Sequence, residues 1–388
     1  MKPRRRERPG VLFHVQHLLG IGHLRRAAAI ARALEAAGLR ATVASGGAPV
    51  EGVDFGAAEL VQLPPARSAD AAFSAILDAT GRPVDEAWWA KRRTALLELF
   101  RARAPDALLI ELYPFGRRPF RHELLPLLEQ VRAQAERPAV LCSLRDILVD
   151  KGRSERAAET VSLVRRCFDR VLVHGDPQVA PLSASFPAAD EIADRIAYTG
   201  YVVERAAPLP DPAAPGTGEV LVSAGGGAVG GALLRSSLAA RKLSRLADRP
   251  WRIVTGRNLP DAEFAEIAAA SGPGVVVERY RPDLAARFAR CTVSVSQGGY
   301  NTVMELIAAR ARAVVVPFAA PGETEQLQRA RLLAARGLVT LAEGGESDPA
   351  RLAAAIDGAA SGERPPETAL DLDGAAATAR LIREMVQA

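Results

Sequence analysis

Ser296-Gln297-Gly298-Gly299-Tyr300-Asn301-Thr302-Val303-Met304-Glu305 is the stretch on which the fold turns. The apolar run 291–295 ahead of it has β character, and the residues from Tyr300 onward begin a helical run. Two glycines between a buried strand and a helix start let a ligand come close to the backbone amides. Glu305, a turn further on, is placed to accept the two hydroxyls of a ribose, as acids do in other nucleotide folds. The same residues also make an ordinary strand–helix turn, so their meaning depends on what recurs elsewhere.

The pattern recurs twice upstream. Ser223-Ala224-Gly225-Gly226-Gly227-Ala228, followed by Gly230-Gly231, lies between an apolar run at 219–223 and a helix. Three consecutive glycines leave bare amides suited to a diphosphate. The spacing is neither the dinucleotide G-x-G-x-x-G nor a phosphate loop with its lysine, and a tight turn is the alternative. Gly20-Ile21-Gly22-His23 follows the run 11–16 and precedes a helix over 24–37, which Gly38 stops. A helix N-terminus favours negative charge by about 0.3–1 kcal/mol. An imidazole there can take a proton from an incoming hydroxyl, or simply cap and pack. His14 and Gln16 share a strand face, and His17 follows them. After Pro317-Phe318 comes Glu323-Thr324-Glu325-Gln326-Leu327-Gln328. It offers a sugar both acceptors and donors, though glutamates at a helix start also serve as plain capping.

Around these loops short apolar strands alternate with amphipathic helices, the pattern of parallel α/β sheets. Strands are expected at 11–16, 41–45, 107–112, 139–144 and 170–174, then at 219–223, 251–255, 275–278, 291–295 and 313–317. Between the two series, 206–218 holds prolines at 208, 210, 212 and 215 and reads as a linker. The expected organisation is an N-terminal Rossmann-like domain over 1–205, a second over 219–373, and a helix over 374–388 capped by Asp373. Two such domains would face each other across a cleft at their strand C-terminal ends, where open α/β sheets bind ligands.

Composition narrows the classes. At 388 residues, 48% hydrophobic and 24% charged, the chain suits two soluble domains. No apolar run has membrane-span length, and the basic 1–8 segment reads as a tail before the first strand. Cys142, Cys167 and Cys291 are scattered in apolar runs, as expected of buried thiols in the cytoplasm. The net charge of +5 hints at polyanions, but only four of the 50 basic residues are lysine and the arginines are interleaved with acids. Nucleic-acid binding is therefore not expected, and at most weak peripheral association with an anionic membrane remains. Asp371-Leu372-Asp373 resembles a metal-binding D-x-D but sits before a helix start, where it caps. No histidine–carboxylate cluster or nucleophile elbow is present in the sequence, which favours metal-independent chemistry with no cofactor.

The three loops, the linker and the terminal helix resemble the two-domain GT-B glycosyltransferases, family 28, the MurG-like group. The nearest likeness is to a group of predicted bacterial glycosyltransferases, through Val15-Gln16-His17-Leu18-Leu19-Gly20-Ile21-Gly22-His23-Leu24-Arg25-Arg26, Glu111-Leu112-Tyr113-Pro114-Phe115-Gly116-Arg117-Arg118 and Ser143-Leu144-Arg145-Asp146-Ile147-Leu148. The resemblance implies two facing domains, with the terminal helix crossing back to the first. It implies a hexose, such as N-acetylglucosamine, moved from a UDP-sugar to a hydroxyl of a small or lipid-linked acceptor. On the donor side it implies Gly225, Gly226 and Gly227 at the diphosphate, and Arg257, Tyr280 and Arg281 near the base. Glu305 would hold the ribose, with Gln297, Gly298, Gly299, Asn301 and Thr302 in its loop. Glu323, Glu325 and Gln326 would meet the sugar. His23 would be the base or oxyanion partner, with Gly20, Gly22, His17, Glu111, Arg117 and Arg145 toward the acceptor. The same architecture also serves nucleotide-sugar 2-epimerases and hydrolases, or a non-catalytic nucleotide-sugar-binding accessory protein.

Overall fold

The computed structural model of the chain describes residues 8–18, 20–70, 75–148, 154–204, 216–225, 230–318, 324–367 and 370–387. Its contacts divide it into two units, Met1–Val202 with Asp373–Ala388, and Val203–Leu372.

The first unit contains β1 (Gly10–Val15), α1 (Gly22–Ala36), β2 (Arg40–Gly47), β3 (Glu59–Ser68), β4 (Ile76–Leu77), α2 (Glu86–Arg103), β5 (Ala107–Glu111), α3 (Arg121–Arg132), β6 (Ala139–Arg145), α4 (Ser154–Cys167), β7 (Arg170–His174) and β8 (Ile196–Tyr198). Its sheet has the order β4-β3-β2-β1-β5-β6-β7-β8, parallel throughout except for the antiparallel pair β3–β4. The central strands GVLFHV and ALLIE are buried along their whole length, as expected of a parallel sheet covered on both faces. Helix α1 ends where Gly38 takes φ +82. Asp85 caps α2 by accepting from Trp88 N at 2.7 Å.

The second unit contains β9 (Val220–Ser223), α5 (Gly231–Arg241), β10 (Trp251–Val254), α6 (Asp261–Ala270), β11 (Val275–Glu278), α7 (Leu284–Phe288), β12 (Val293–Gln297), α8 (Tyr300–Ala308), β13 (Ala313–Val316), α9 (Glu325–Ala334), β14 (Thr340–Leu341) and α10 (Pro349–Ser361). Its strands run parallel in the order β11-β10-β9-β12-β13-β14.

Every strand expected from the sequence has a counterpart, with one instructive shift. The strand read over 291–295 runs over 293–297, because Cys291 closes a turn by donating its N–H to Arg287 O at 2.8 Å. Gln297 therefore ends the strand, and the loop proper begins at Gly298. Strands β3, β4, β8 and β14 went unread: β3 carries Pro64 and Pro65, and the other three have two or three residues.

The last helix, α11 (Gly374–Gln387), belongs to the first unit and packs on α1, sharing a core with Leu24, Ala28, Ile30 and Leu34 through Ala379 and Ile382. It is pinned at its start, where Gly374 N donates to Tyr201 O at 3.0 Å. Residues 206–215 of the expected linker lie outside the described residues. Residues 216–218 belong to the second unit, with Gly216 at φ +100 against Arg287.

Strand order fixes where each unit can bind. The order reverses between β1 and β5 in the first unit and between β9 and β12 in the second. The crevice outside the strand C-terminal ends at such a point is where open α/β sheets take ligands. The Gly20–His23 loop follows β1, Glu111 ends β5, Gly225 follows β9, and Gly298–Gly299 follow β12.

Candidate functional site

In the first unit, His23 is the second residue of α1 and Glu111 the last of β5. His23 Nδ1 lies 2.7 Å from Glu111 Oε1. An ionised carboxylate only accepts, so Nδ1 carries the proton and the Nε2 lone pair is left as the basic site. The His23 side chain is 17% exposed and that of Glu111 fully covered, so a ligand can reach the imidazole but not the carboxylate.

Arg26, one turn along α1 and buried, also donates to Glu111 Oε1. Arg117, in the loop after β5, donates from Nε to Gln16 O at 2.9 Å. Burial draws the His23 imidazole down to about 4; Glu111 pulls against this, and Arg117 and Arg26 push with it. Burial opposes the charge of Glu111, but His23, Arg26 and Arg117 outweigh it and hold the carboxyl at about 2. Arg117 is itself lowered to about 10, by burial and by its neighbours Arg145 and Arg26 against the attraction of Glu111, so it stays a cation at neutral pH. The arrangement is a neutral imidazole oriented by a buried anion, able to accept a proton.

Two acceptor-side expectations are corrected. Glu111 does not line a surface: parallel pairing sets it opposite Ser143 in β6, under His23, where it orients the ring. His17 is 4% exposed, and its Nε2 donates to Ala48 O at 2.9 Å. A Cβ on Gly47 would stand 2.3 Å from the His17 ring, so the ring fills the space a side chain would need there. Its role is packing. Gly20, Gly22, Arg117 and Arg145 are partly exposed at the same strand ends. His174, at the end of β7, is a buried structural histidine between Ser143 Oγ and Thr199 Oγ1, each at 2.8 Å, and burial takes it down to about 3. Arg26 and the orienting role of Glu111 were missed in the sequence. The only signal for Arg26 was its i,i+3 spacing from His23.

In the second unit, Gly299 caps α8, which has neither a side-chain cap nor an acid in its first turn. Gly298 is glycine for space, since a Cβ would meet Gln326 Cβ and O at 3.2 Å. Gly225 sits at φ +72, and a Cβ on it would stand 3.9 Å from Thr302 Oγ1, which puts the second and third loops side by side. Asn301 and Thr302 are partly exposed on the first turn of α8, while Gln297 and Glu305 are 8% and 6% exposed. Gln326 Oε1 accepts from Phe318 N at 3.1 Å. Gly226, Gly227 and Glu323 lie outside the described residues.

Two donor-side expectations are corrected here. Glu325 is 5% exposed and turned toward Arg329 at 3.7 Å, one helical turn on, so it is not presented to a sugar. Arg329 in turn donates to Gly298 O at 3.2 Å, tying α9 to the third loop. Arg281 is bound to Asp283 by contacts of 2.8 and 3.0 Å, so its guanidinium is engaged by a neighbouring carboxylate. It is one corner of a closed ring of ion pairs, Arg281–Asp283–Arg287–Glu219–Arg252–Glu278, with separations of 2.8 to 3.6 Å. Within this loop Tyr280 is 43% exposed, and the exposed Arg257 stacks 3.9 Å over its ring.

Among the described residues no group of three His, Cys, Asp or Glu could hold a metal ion. No helix among them is long and apolar enough to cross a membrane.

Residues 225–378 match the glycosyltransferase family 28 C-terminal domain. Over 137 residues the chain is 32% identical to the UDP-N-acetylglucosamine--N-acetylmuramyl-(pentapeptide) pyrophosphoryl-undecaprenol N-acetylglucosamine transferase of Xanthomonas axonopodis pv. citri (strain 306), covering 35% of this chain and 32% of that one. The chain thus spans about a third of the length of this curated relative. Solved structures are similar over 98% of the chain. They include the calicheamicin glycosyltransferase CalG4 (TM-score 0.63, 16% identity, 98% of that chain) and the spinosyn rhamnosyltransferase SpnG (0.59, 18%, 96%). MurG of Acinetobacter baumannii is a third (0.56, 15%, 100% of that chain). At these identities the likeness is one of fold, and the fold is that of the GT-B glycosyltransferases.

Proposed function

We propose that this GT-B chain, similar over 225–378 to the family 28 C-terminal domain, is a glycosyltransferase moving a hexose from a nucleotide sugar to an acceptor hydroxyl. The observation that carries the reading is the His23–Glu111 pair at the first unit's switch point, a base already fixed in the productive tautomer. UDP as the nucleotide, and N-acetylglucosamine as the sugar, rest on the name of the curated relative. A small-molecule or lipid-linked alcohol is the acceptor class.

In this mechanism the acceptor oxygen attacks the anomeric carbon while the bond from that carbon to the diphosphate breaks. Its electron pair leaves with the diphosphate. The hydroxyl proton passes to His23 Nε2, and the imidazolium formed is stabilised by Glu111 beneath it. General-base assistance of this kind contributes roughly 10²–10⁴ in rate. The amides around Gly225 and Gly298–Gly299, with the start of α8, suit the charge growing on the diphosphate. The Arg257–Tyr280 stack is an exposed platform suited to a base, and Glu305 is proposed to hold the ribose.

A thermal-shift screen of UDP, TDP and GDP and their sugars tests the donor. A ligand at 100 times its Kd adds about 2.7 kcal/mol of stability. UDP should give the largest shift, and a TDP-selective response would overturn the nucleotide assignment. Glu305→Ala should weaken UDP binding by about 1.5–3 kcal/mol, the worth of hydrogen bonds to a charged group. His23→Gln should leave UDP binding intact and abolish most transfer; equal loss of both would sink the division of roles.

A further inference from the structure

Arg26 stands one turn beyond His23 on α1 and is 3% exposed. Its Nη2 donates to Oε1 of Glu111, the oxygen that also accepts from His23 Nδ1. The same Nη2 lies 3.4 Å from His23 Nδ1. Oε2 of Glu111 accepts no hydrogen bond from the described residues. A cation and an imidazole therefore converge on one carboxylate oxygen while its twin goes unused. Arg26 is too deeply covered to touch a substrate, so any part it plays in the reaction runs through its neighbours.

We infer that Arg26 is a positioning residue that sets the basicity of His23 through the carboxylate oxygen they share. An anion beside an imidazole favours the imidazolium, and a guanidinium on the same oxygen offsets part of that pull. The charged groups facing His23 are Arg26 on its own helix, Glu111 at the end of β5, and Arg117 in the loop after β5. Arg145 and Arg26 flank Arg117, and His174 lies near Glu111 and Arg26. Burial is the main reason Nε2 stays unprotonated near neutral pH; Arg26, with Arg117, offsets part of the opposing pull of Glu111. Without Arg26 the pull of Glu111 is less opposed, so the ring binds its proton more tightly and its midpoint rises. The unused Oε2 fits this reading: both donors are drawn to Oε1 because they stand on the same helix face.

The inference takes from the proposed reaction only that His23 is the base, and the titration that tests it needs neither donor nor acceptor. The chain has five histidines, so ¹⁵N-histidine labelling of the full protein gives a resolvable spectrum, in which His23→Gln identifies the His23 signals. Arg26→Met should raise the His23 midpoint by about one pH unit, tenfold in proton affinity, and Arg26→Lys should keep it near the wild type. A midpoint unmoved in folded Arg26→Met, or moved as far by Lys as by Met, overturns the inference. Should Arg26→Met fail to fold, Arg26→Gln, which removes the charge but keeps a hydrogen-bond donor for the carboxylate, replaces it. It should raise the His23 midpoint by about as much, and an unmoved midpoint overturns the inference. If the midpoint moves while the acid limb of kcat/KM for transfer does not follow, the base role of His23 fails and the Arg26 assignment stands.

Discussion

Glu111→Gln is the sharpest perturbation of the first unit, because it removes one charge and almost no volume. The wild-type carboxyl is held at about 2 against an ordinary value of 4.5, and its side chain is fully covered, so solvent screening takes little from the interaction. A difference of about 2.5 pH units corresponds to about 3 kcal/mol of stability, at about 1.4 kcal/mol per unit. The sign follows from a depressed folded-state value. This stability is fully present above about pH 4.5 and is lost as the pH falls toward 2. The same size results from stranding charge: breaking a buried pair by removing one partner costs about 3–5 kcal/mol, and here Arg26 and Arg117 lose their common counter-ion. Trp88 and Trp89 report on the first unit, so urea unfolding is best followed by fluorescence in a Trp251→Phe background, which silences the second unit's tryptophan. At pH 7 Glu111→Gln should unfold that unit with about 3 kcal/mol less stability. The deficit should hold from pH 8 to 5 and narrow below about pH 4.5. A deficit under about 1 kcal/mol at pH 7, or one that grows on acidification, would show that Glu111 is not the anion around which the arginines are arranged.

Two further perturbations probe the frame that carries the site. A Cβ on Gly374 would stand 2.4 Å from Gly200 O and 2.8 Å from Tyr201 C, and backbone cannot swing aside as a flexible side chain can. Gly374→Ala should therefore loosen α11 from α1, read as faster limited proteolysis of the last 14 residues and a Tm several degrees lower; unchanged proteolysis would refute the docking argument. Arg287 is 2% exposed and bridges Asp283 to Glu219, so Arg287→Met should destabilise the second unit by about 3 kcal/mol and lessen any UDP-induced Tm shift by freeing the Tyr280 loop; a loss under about 1 kcal/mol would mean the ion-pair ring is dispensable.

The residues legible in the sequence were those whose type is dictated by backbone. Gly225, at φ +72, and Gly298, tight against Gln326, stand where the backbone calls for glycine, so those loops could be read from spacing, as could the strands and helices that flank them. What spacing does not encode is the partner of a long side chain. Arg281 lies beside Tyr280 in sequence, yet its guanidinium reaches forward to the carboxylate of Asp283 two residues on. Glu325 looked like a sugar contact, yet the i,i+4 geometry of α9 turns it toward Arg329. His17 and His23 are six residues apart, and the sequence set His23 apart only by its place in the glycine loop at a helix start. The difference is made at long range: Ala48 O fixes the ring of His17, 31 residues away, and Glu111, 88 residues away, orients that of His23. The chemistry of His23 thus depends on β1 and β5 being neighbours in the sheet, a pairing between strands almost a hundred residues apart. A base is therefore legible as a residue, but its strength is a property of the strand order that gathers Glu111, Arg26 and Arg117 around it.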